Sequence, residues 1–184
     1  MNQKKERGSG CFEMRVFIAL NFNELKDYFS ELQKQIPKED TKLTLPNDFH
    51  LTLKFLGEVE DSKVDVLKKA LSEIKLKPFE VKVTHVGVFT EQFVRVIWVK
   101  AEADEIINLQ KQVDEKLIGF RKDEFDFQPH ITLARVNFLK DKNAFIEQIK
   151  KIKTIEKTVK IKDFELVRSV LTPEGPVYEV LKSF

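Results

Sequence analysis

The chain contains three histidines, and two of them open the same four-residue pattern: His50-Leu51-Thr52-Leu53 and His130-Ile131-Thr132-Leu133. At ordinary residue frequencies, two given histidines would share Thr and Leu at these offsets roughly once in 40,000 cases. On a strand, residues two apart share a face. His50 and Thr52 are therefore expected on one face, with Leu51, Leu53 and Phe55 on the other. In the second copy His130 and Thr132 oppose Ile131 and Leu133. Each strand would bury its aliphatic side and present an imidazole beside a hydroxyl. Two such strands would bring two histidines and two threonines to one cleft. This set suits hydrolysis of a phosphodiester. A neutral imidazole can take a proton from water while a protonated one gives a proton to the leaving oxygen. Hydroxyls can hold the non-bridging oxygens as charge develops. No carboxylate or Cys lies within either motif, and the third histidine, His85, sits in a separate segment. Three or four close zinc ligands are not indicated, so the expectation is chemistry without metal or cofactor.

Other residues admit two readings. Lys54 shares parity with His50 and could attract an RNA backbone, or be an ordinary solvated lysine. Arg95, among Phe93, Val94, Val96, Ile97 and Trp98, could face the cleft or snorkel from the sheet. His85 alternates with Val81 and Val83 and reads as a hydrogen-bonded structural residue. Phe22, Phe55 and Phe138 are candidates to flank the cleft and stack a base. The lysine-rich stretch from Lys150 to Lys162 alternates with Ile and Val, which fits an exposed amphipathic element better than a nucleic-acid patch.

The elements that must position the motifs follow from apolar periodicity. Val16, Ile18, Leu20 and Phe22 mark a strand over 14–22. Asn23 is placed to cap a helix carrying Leu25, Phe29, Leu32 and Ile36, which Pro37 stops. A short strand is expected near Leu43. A longer strand follows over 49–56, ended by Gly57, and Ser62 starts a second helix. Strands over 79–89 and 93–100 read as a hairpin. A third helix spans about 104–118 with Gly119 as its stop. The strand over 130–137 precedes a helix capped by Asp141. Strands over 159–171 and 177–181 close the chain around the turn 172–175. This order predicts an α+β fold with mostly antiparallel sheet. The motifs start 80 residues apart (130 − 50), which suggests one per half of a duplicated, two-lobed structure.

Bulk properties bound the partners. The 184 residues include 16 Phe and are 42% hydrophobic, enough for a real core. One Cys excludes a disulfide framework and suits a reducing compartment. No run approaches membrane length, and no signal peptide is recognisable. The expectation is a cytoplasmic monomer, away from membranes. With 32 basic and 30 acidic residues, the net charge of +2 is too small for a protein that coats long nucleic acid. A partner carrying one or two phosphates fits. Residues 1–13 read as a polar tail outside a single domain over 14–184.

The sequence resembles the 2H phosphoesterases, in the bacterial and archaeal "2′-5′ RNA ligase" branch better described as RNA 2′,3′-cyclic phosphodiesterases. The matching segments are 14–20, 50–57, Arg95-Val96-Ile97-Trp98, 129–136 and 171–178. The resemblance implies two lobes about a pseudo-two-fold axis with a central cleft. It implies opening of a 2′,3′-cyclic phosphate at an RNA 3′ end to a 2′-phosphate, with reversible 2′-5′ joining of tRNA halves as a secondary reaction. It makes His50 the proton donor and His130 the acceptor, with Thr52, Thr132 and Arg135 on the phosphate. Arg135 conflicts with strict alternation, since it shares parity with Ile131 and Leu133. A bulge, an early strand end or a reach around the sheet edge would be needed. Two other readings stand beside this one. One is a non-catalytic module that binds nucleotides or RNA ends. The other is a phosphodiesterase for small cyclic phosphates such as that of ADP-ribose.

Overall fold

Alternating apolar residues make the strands, and three-to-four-residue periodicity makes the helices. A computed structural model describes residues 13–120, 126–173 and 175–184. The expected tail lies outside them, apart from Glu13, which begins the first strand. The order is β1 (Glu13–Asn21), α1 (Lys26–Gln35), β2 (Thr41–Thr44), β3 (His50–Glu60), α2 (Asp61–Leu71), β4 (Phe79–Val88), β5 (Val96–Glu102), α3 (Asp104–Lys116), β6 (His130–Leu139), α4 (Lys142–Ile149), β7 (Lys157–Ile161), β8 (Glu165–Thr172) and β9 (Gly175–Ser183). None of these helices is long and apolar enough to cross a membrane.

The strands form two antiparallel sheets, β3-β1-β8-β9 and β2-β6-β5-β4-β7. Written from the motif strand outward, β3-β1-β8-β9 corresponds to β6-β5-β4-β7, with β2 added beside β6. This is the expected α+β duplication, with one His-x-Thr-Leu strand per sheet. One continuous core joins the helix-packed sheet faces to the helices through Ile18, Leu20, Leu51, Leu53, Ile97, Ile131 and Leu133.

Both motif strands are bulged at the same place. In β3, Ala19 of β1 opposes Thr52 and Ile18 opposes Lys54, so Leu53 is the extra residue. In β6, Trp98 of β5 opposes Thr132 and Ile97 opposes Ala134, so Leu133 is the extra residue. One extra residue reverses the alternation beyond it. Lys54 and Ala134 turn to the core side, while Phe55 and Arg135 turn to the side of the motif histidines. This corrects the strict alternation that put Phe55 with Leu51 and Leu53, and it removes the conflict over Arg135.

At each bulge a buried polar side chain makes a contact between the two halves of the chain. Gln33 of α1 donates its Nε2–H to the carbonyl of Leu133 at 2.9 Å and to that of Pro46 at 2.8 Å. Lys54, only 5% exposed, is bound at 2.7 Å by Asp114 of α3, to which Gln110 also donates at 2.6 Å.

Three local expectations change, and one holds. Asn23 opens a short 3-10 turn, and its side chain caps no helix. It ties the loop before β3 instead, accepting from Phe49 N at 2.9 Å. Gly57 does not end β3. Its φ of 75° sits at a second bulge, and the strand continues to Glu60. The span 159–171 divides into β7 and β8, which lie in different sheets. The lysine-rich stretch supplies β7, an edge strand with Val159 and Ile161 buried; lysines on an edge discourage pairing with other chains.

Two substitutions test this packing. Gln33→Leu removes both donors from buried carbonyls, at a cost of about 1–3 kcal/mol. The urea midpoint should fall with an unchanged slope, whereas an unchanged midpoint would show that Gln33 does not support the bulge. At Gly87 an added Cβ would lie 2.7 Å from Trp98 Cη2, a ring already packed against His85 and Phe89. Gly87→Ala should therefore cost about 1–3 kcal/mol by overpacking, read as a lower melting temperature.

Candidate functional site

β3 and β6 approach within 8 Å between Cα atoms although they belong to different sheets. The face of the first sheet carries Phe17, Ala19, His50, Thr52 and Phe55; the opposing face carries Trp98, His130, Thr132 and Arg135. Charge acts between them: His50 and Arg135 both disfavour a proton on His130, and Arg135 acts on Tyr178 of β9. The structure thus brings both histidines, both threonines and Arg135 to one cleft.

The histidines are held differently. The His50 ring lies against Phe17, with centroids 4.9 Å apart, and meets Tyr178 edge-on at 5.0 Å. Its Nδ1 lies 3.0 Å from Asp48 Oδ1. That hydrogen bond is the main reason the Asp48 carboxyl is held below its usual range. His130 Nδ1 donates to the backbone carbonyl of Gln128 at 2.7 Å, and Phe89 meets its ring edge-on at 4.8 Å. Burial chiefly, helped by the positive charges of Arg135, His50 and Lys100, pushes the His130 imidazole below 6.5. A neutral His130 with Nδ1–H bound has Nε2 as its basic atom.

A cavity of about 1040 Å³ opens beside His130 and Thr52, walled by Phe55, Phe89, Phe120 and Phe127 among others. Its size exceeds what a cyclic phosphate alone would need. Phe55 is the one of the three phenylalanines proposed for stacking that lines it. Phe22 is fully buried in the core, and Phe138 lies in a separate groove of about 350 Å³. Arg95 lines that same groove, its guanidinium 4.5 Å from the Phe93 ring, and not the histidine cleft. Lys54 borders the cavity, but the bulge turns it to the side away from His50 and into its ion pair with Asp114; it is not a solvated lysine. His85 is exposed, 3.2 Å from the Thr84 hydroxyl and edge-on to Trp98. Among the described residues, no three His, Cys, Asp or Glu side chains converge as metal ligands.

Asp48, Phe17, Phe89 and the backbone of Gln128 were missed from the sequence. Asp48 and Gln128 did carry a positional signal, because each stands two residues before a motif histidine. Tyr178 sat in a recognised segment without a role attached.

Relatives are consistent with this architecture. A Methanocaldococcus jannaschii protein named RNA 2′,3′-cyclic phosphodiesterase is 35% identical over 93% of this chain and 100% of its own length. An Archaeoglobus fulgidus protein of the same name is 36% identical, covering 93% of this chain and 99% of its own. A crystal structure of a Thermus thermophilus protein superposes with a TM-score of 0.73 at 31% identity, covering 93% of this chain and 97% of that one. Escherichia coli LigT complexed with 3′-AMP shares the fold, with a TM-score of 0.75 at 22% identity over 94% of this chain and 98% of that one. The sequence model of the family described as LigT-like phosphoesterase matches twice, over residues 20–98 and 97–178, one match for each motif. The chain belongs to the LigT-like phosphoesterase family, within the 2H phosphoesterases.

Proposed function

We propose that this protein hydrolyses 2′,3′-cyclic phosphates at RNA 3′ ends to 2′-phosphomonoesters, using His130 as general base and His50 as general acid. The observation that carries this reading is the unequal support of two equivalent histidines. Asp48 backs His50, whereas His130 has a neutral carbonyl partner and cationic neighbours. The names of the archaeal relatives supply the substrate class.

In this mechanism water attacks phosphorus and loses a proton to His130 Nε2. The bond from phosphorus to the 3′ oxygen breaks, and that oxygen receives a proton from His50. The product keeps the phosphate on the 2′ oxygen beside a free 3′ hydroxyl. Proton exchange with solvent resets both rings. Thr52, Thr132 and Arg135 hold the non-bridging oxygens, with the guanidinium offsetting charge that builds on them. The cavity beside His130 has room for the nucleoside that carries the phosphate. With a 5′ hydroxyl in place of water, the same steps would join tRNA halves through a 2′-5′ bond, and run backwards they would cleave that bond and restore the cyclic phosphate.

The test is turnover of an oligoribonucleotide ending in a 2′,3′-cyclic phosphate, with chelator present. Ring opening is expected, and His50→Ala and His130→Ala should each lower kcat by about 10²–10⁴. Undiminished activity in the double variant would sink the reading. Stronger inhibition by a small cyclic nucleotide than by RNA ends would move the substrate to that class.

The pH dependence has a definite sign. His130 must be neutral to act, and its surroundings lower its proton affinity, so the acidic limb of kcat/KM should fall below pH 6.5. Arg135→Gln removes one cation that disfavours the proton, so that limb should shift upward as activity drops. An acidic limb above 6.5, or one unmoved in Arg135→Gln, would contradict this placement of His130.

A further inference from the structure

The two copies of the motif are equal in residue type, yet opposite proton roles demand that something distinguish them. The difference lies two residues before each histidine. In the second copy this position supplies only a backbone carbonyl, that of Gln128, at 2.7 Å from His130 Nδ1. In the first copy it supplies a carboxylate, Asp48, at 3.0 Å from His50 Nδ1. That carboxylate is fixed in turn. Its second oxygen accepts from Asn23 Nδ2 at 3.1 Å, and Asn23 Oδ1 accepts from Phe49 N at 2.9 Å. Asn21, at the end of β1, accepts from Asn23 N at 2.9 Å and completes the chain. The Phe17 and Tyr178 rings flank His50, so the imidazole is held both edge-on and by its nitrogen.

We propose that Asp48 is the positioning residue that makes His50 the acid of the pair, a role that rests on the two-histidine reading above. By accepting from Nδ1–H it fixes the tautomer and leaves Nε2 as the only nitrogen able to meet the leaving oxygen. Its negative charge also balances the imidazolium before the proton is given up. Asp48 touches no reacting atom and acts only through His50. Asn23 and Asn21 serve as its scaffold, which accounts for an asparagine that starts a helix without capping it.

Several charged and titratable groups surround the pair. Lys26 of α1 acts on Asp48, Glu165 of β8 interacts with His50 and bonds Asn21, and Tyr178 of β9 touches the His50 ring. His130 lies across the cleft, while Arg15 and Arg135 act on Tyr178. All of these stay in place when Asp48 alone is changed. Glu165 is a second acid that acts on the pair, so Glu165→Gln is the matched control.

The experiment combines pH-rate profiles on the cyclic-phosphate oligonucleotide with ¹⁵N NMR of the His50 ring. In Asp48→Asn, kcat should fall about tenfold or more, though less than in His50→Ala. KM should stay within about twofold, because no substrate contact is lost. The basic limb, which reports the acid, should move to lower pH while the acidic limb of His130 stays. Asp48→Glu should recover part of the loss, and Glu165→Gln should leave the basic limb where it is. NMR of the unsubstituted protein should find neutral His50 protonated on Nδ1. An unmoved basic limb in Asp48→Asn, a shift caused by Glu165→Gln instead, or neutral His50 protonated on Nε2 would overturn the proposal. The NMR arm tests the hydrogen bond from His50 Nδ1 to Asp48 even if Asp48→Asn fails to fold. It also tests that bond if the unsubstituted protein opens no cyclic phosphate, in which case the functional reading fails and the role of Asp48 in it falls too.

Discussion

Strand alternation is the constraint around which this site is built. A strand can present His and Thr on one face at two-residue spacing, but the next residue on that face is the fourth after the histidine, and the fifth is buried. Arg135 and Phe55 are both fifth residues. A single extra residue after each threonine, Leu133 in β6 and Leu53 in β3, brings them round to the histidine face. A bulge leaves backbone groups without their ladder partners, and a buried carbonyl without a donor is costly. Gln33 answers that need at Leu133. Beside Leu53 the bulge turns Lys54 to the core side, where it pairs with Asp114, to which Gln110 also donates. In each case the contact comes from a helix of the opposite half, so neither half shapes its motif strand alone.

Duplication supplies two like strands, but their two histidines stand in unlike surroundings. The asymmetry is built from small differences around a common frame. The fifth position is an arginine in one copy and a phenylalanine in the other, so positive charge gathers on the His130 side. Burial chiefly, and then that charge, lowers the proton affinity of His130. The His50 side instead carries a carboxylate and a pair of aromatic rings. A cleft between two antiparallel sheets lets these environments face one another while each stays on its own rigid strand.

Much of this was legible in the sequence because its signals are local. The twin His-x-Thr-Leu pattern located both motif strands, and Val16, Ile18 and Leu20 placed β1 by simple alternation. Asp141 was read correctly as the cap of α4, accepting from Ala144 N. What failed was non-local. A bulge has no fixed residue signature here, so alternation was carried too far into β3 and both Phe55 and Lys54 were assigned to the wrong face. Asn23 looks like a cap from its neighbours, yet a loop 26 residues away claims its side chain. The run 159–171 looks like one strand because nothing in its apolar pattern marks the crossing from one sheet to the other. Arg95 matches a recognised segment, but the geometry puts it in another groove.

In the proposed mechanism the two histidines hold opposite roles, so that the cyclic phosphate opens in one direction only. The isomer of the product measures this directly, for instance by ³¹P NMR of a cyclic mononucleotide or oligonucleotide after complete turnover. A single product with its phosphate on the 2′ oxygen is expected. A 3′-phosphate, or a mixture of the two isomers, would mean that the histidines exchange roles or that the proton goes to the other oxygen, and would contradict the mechanism.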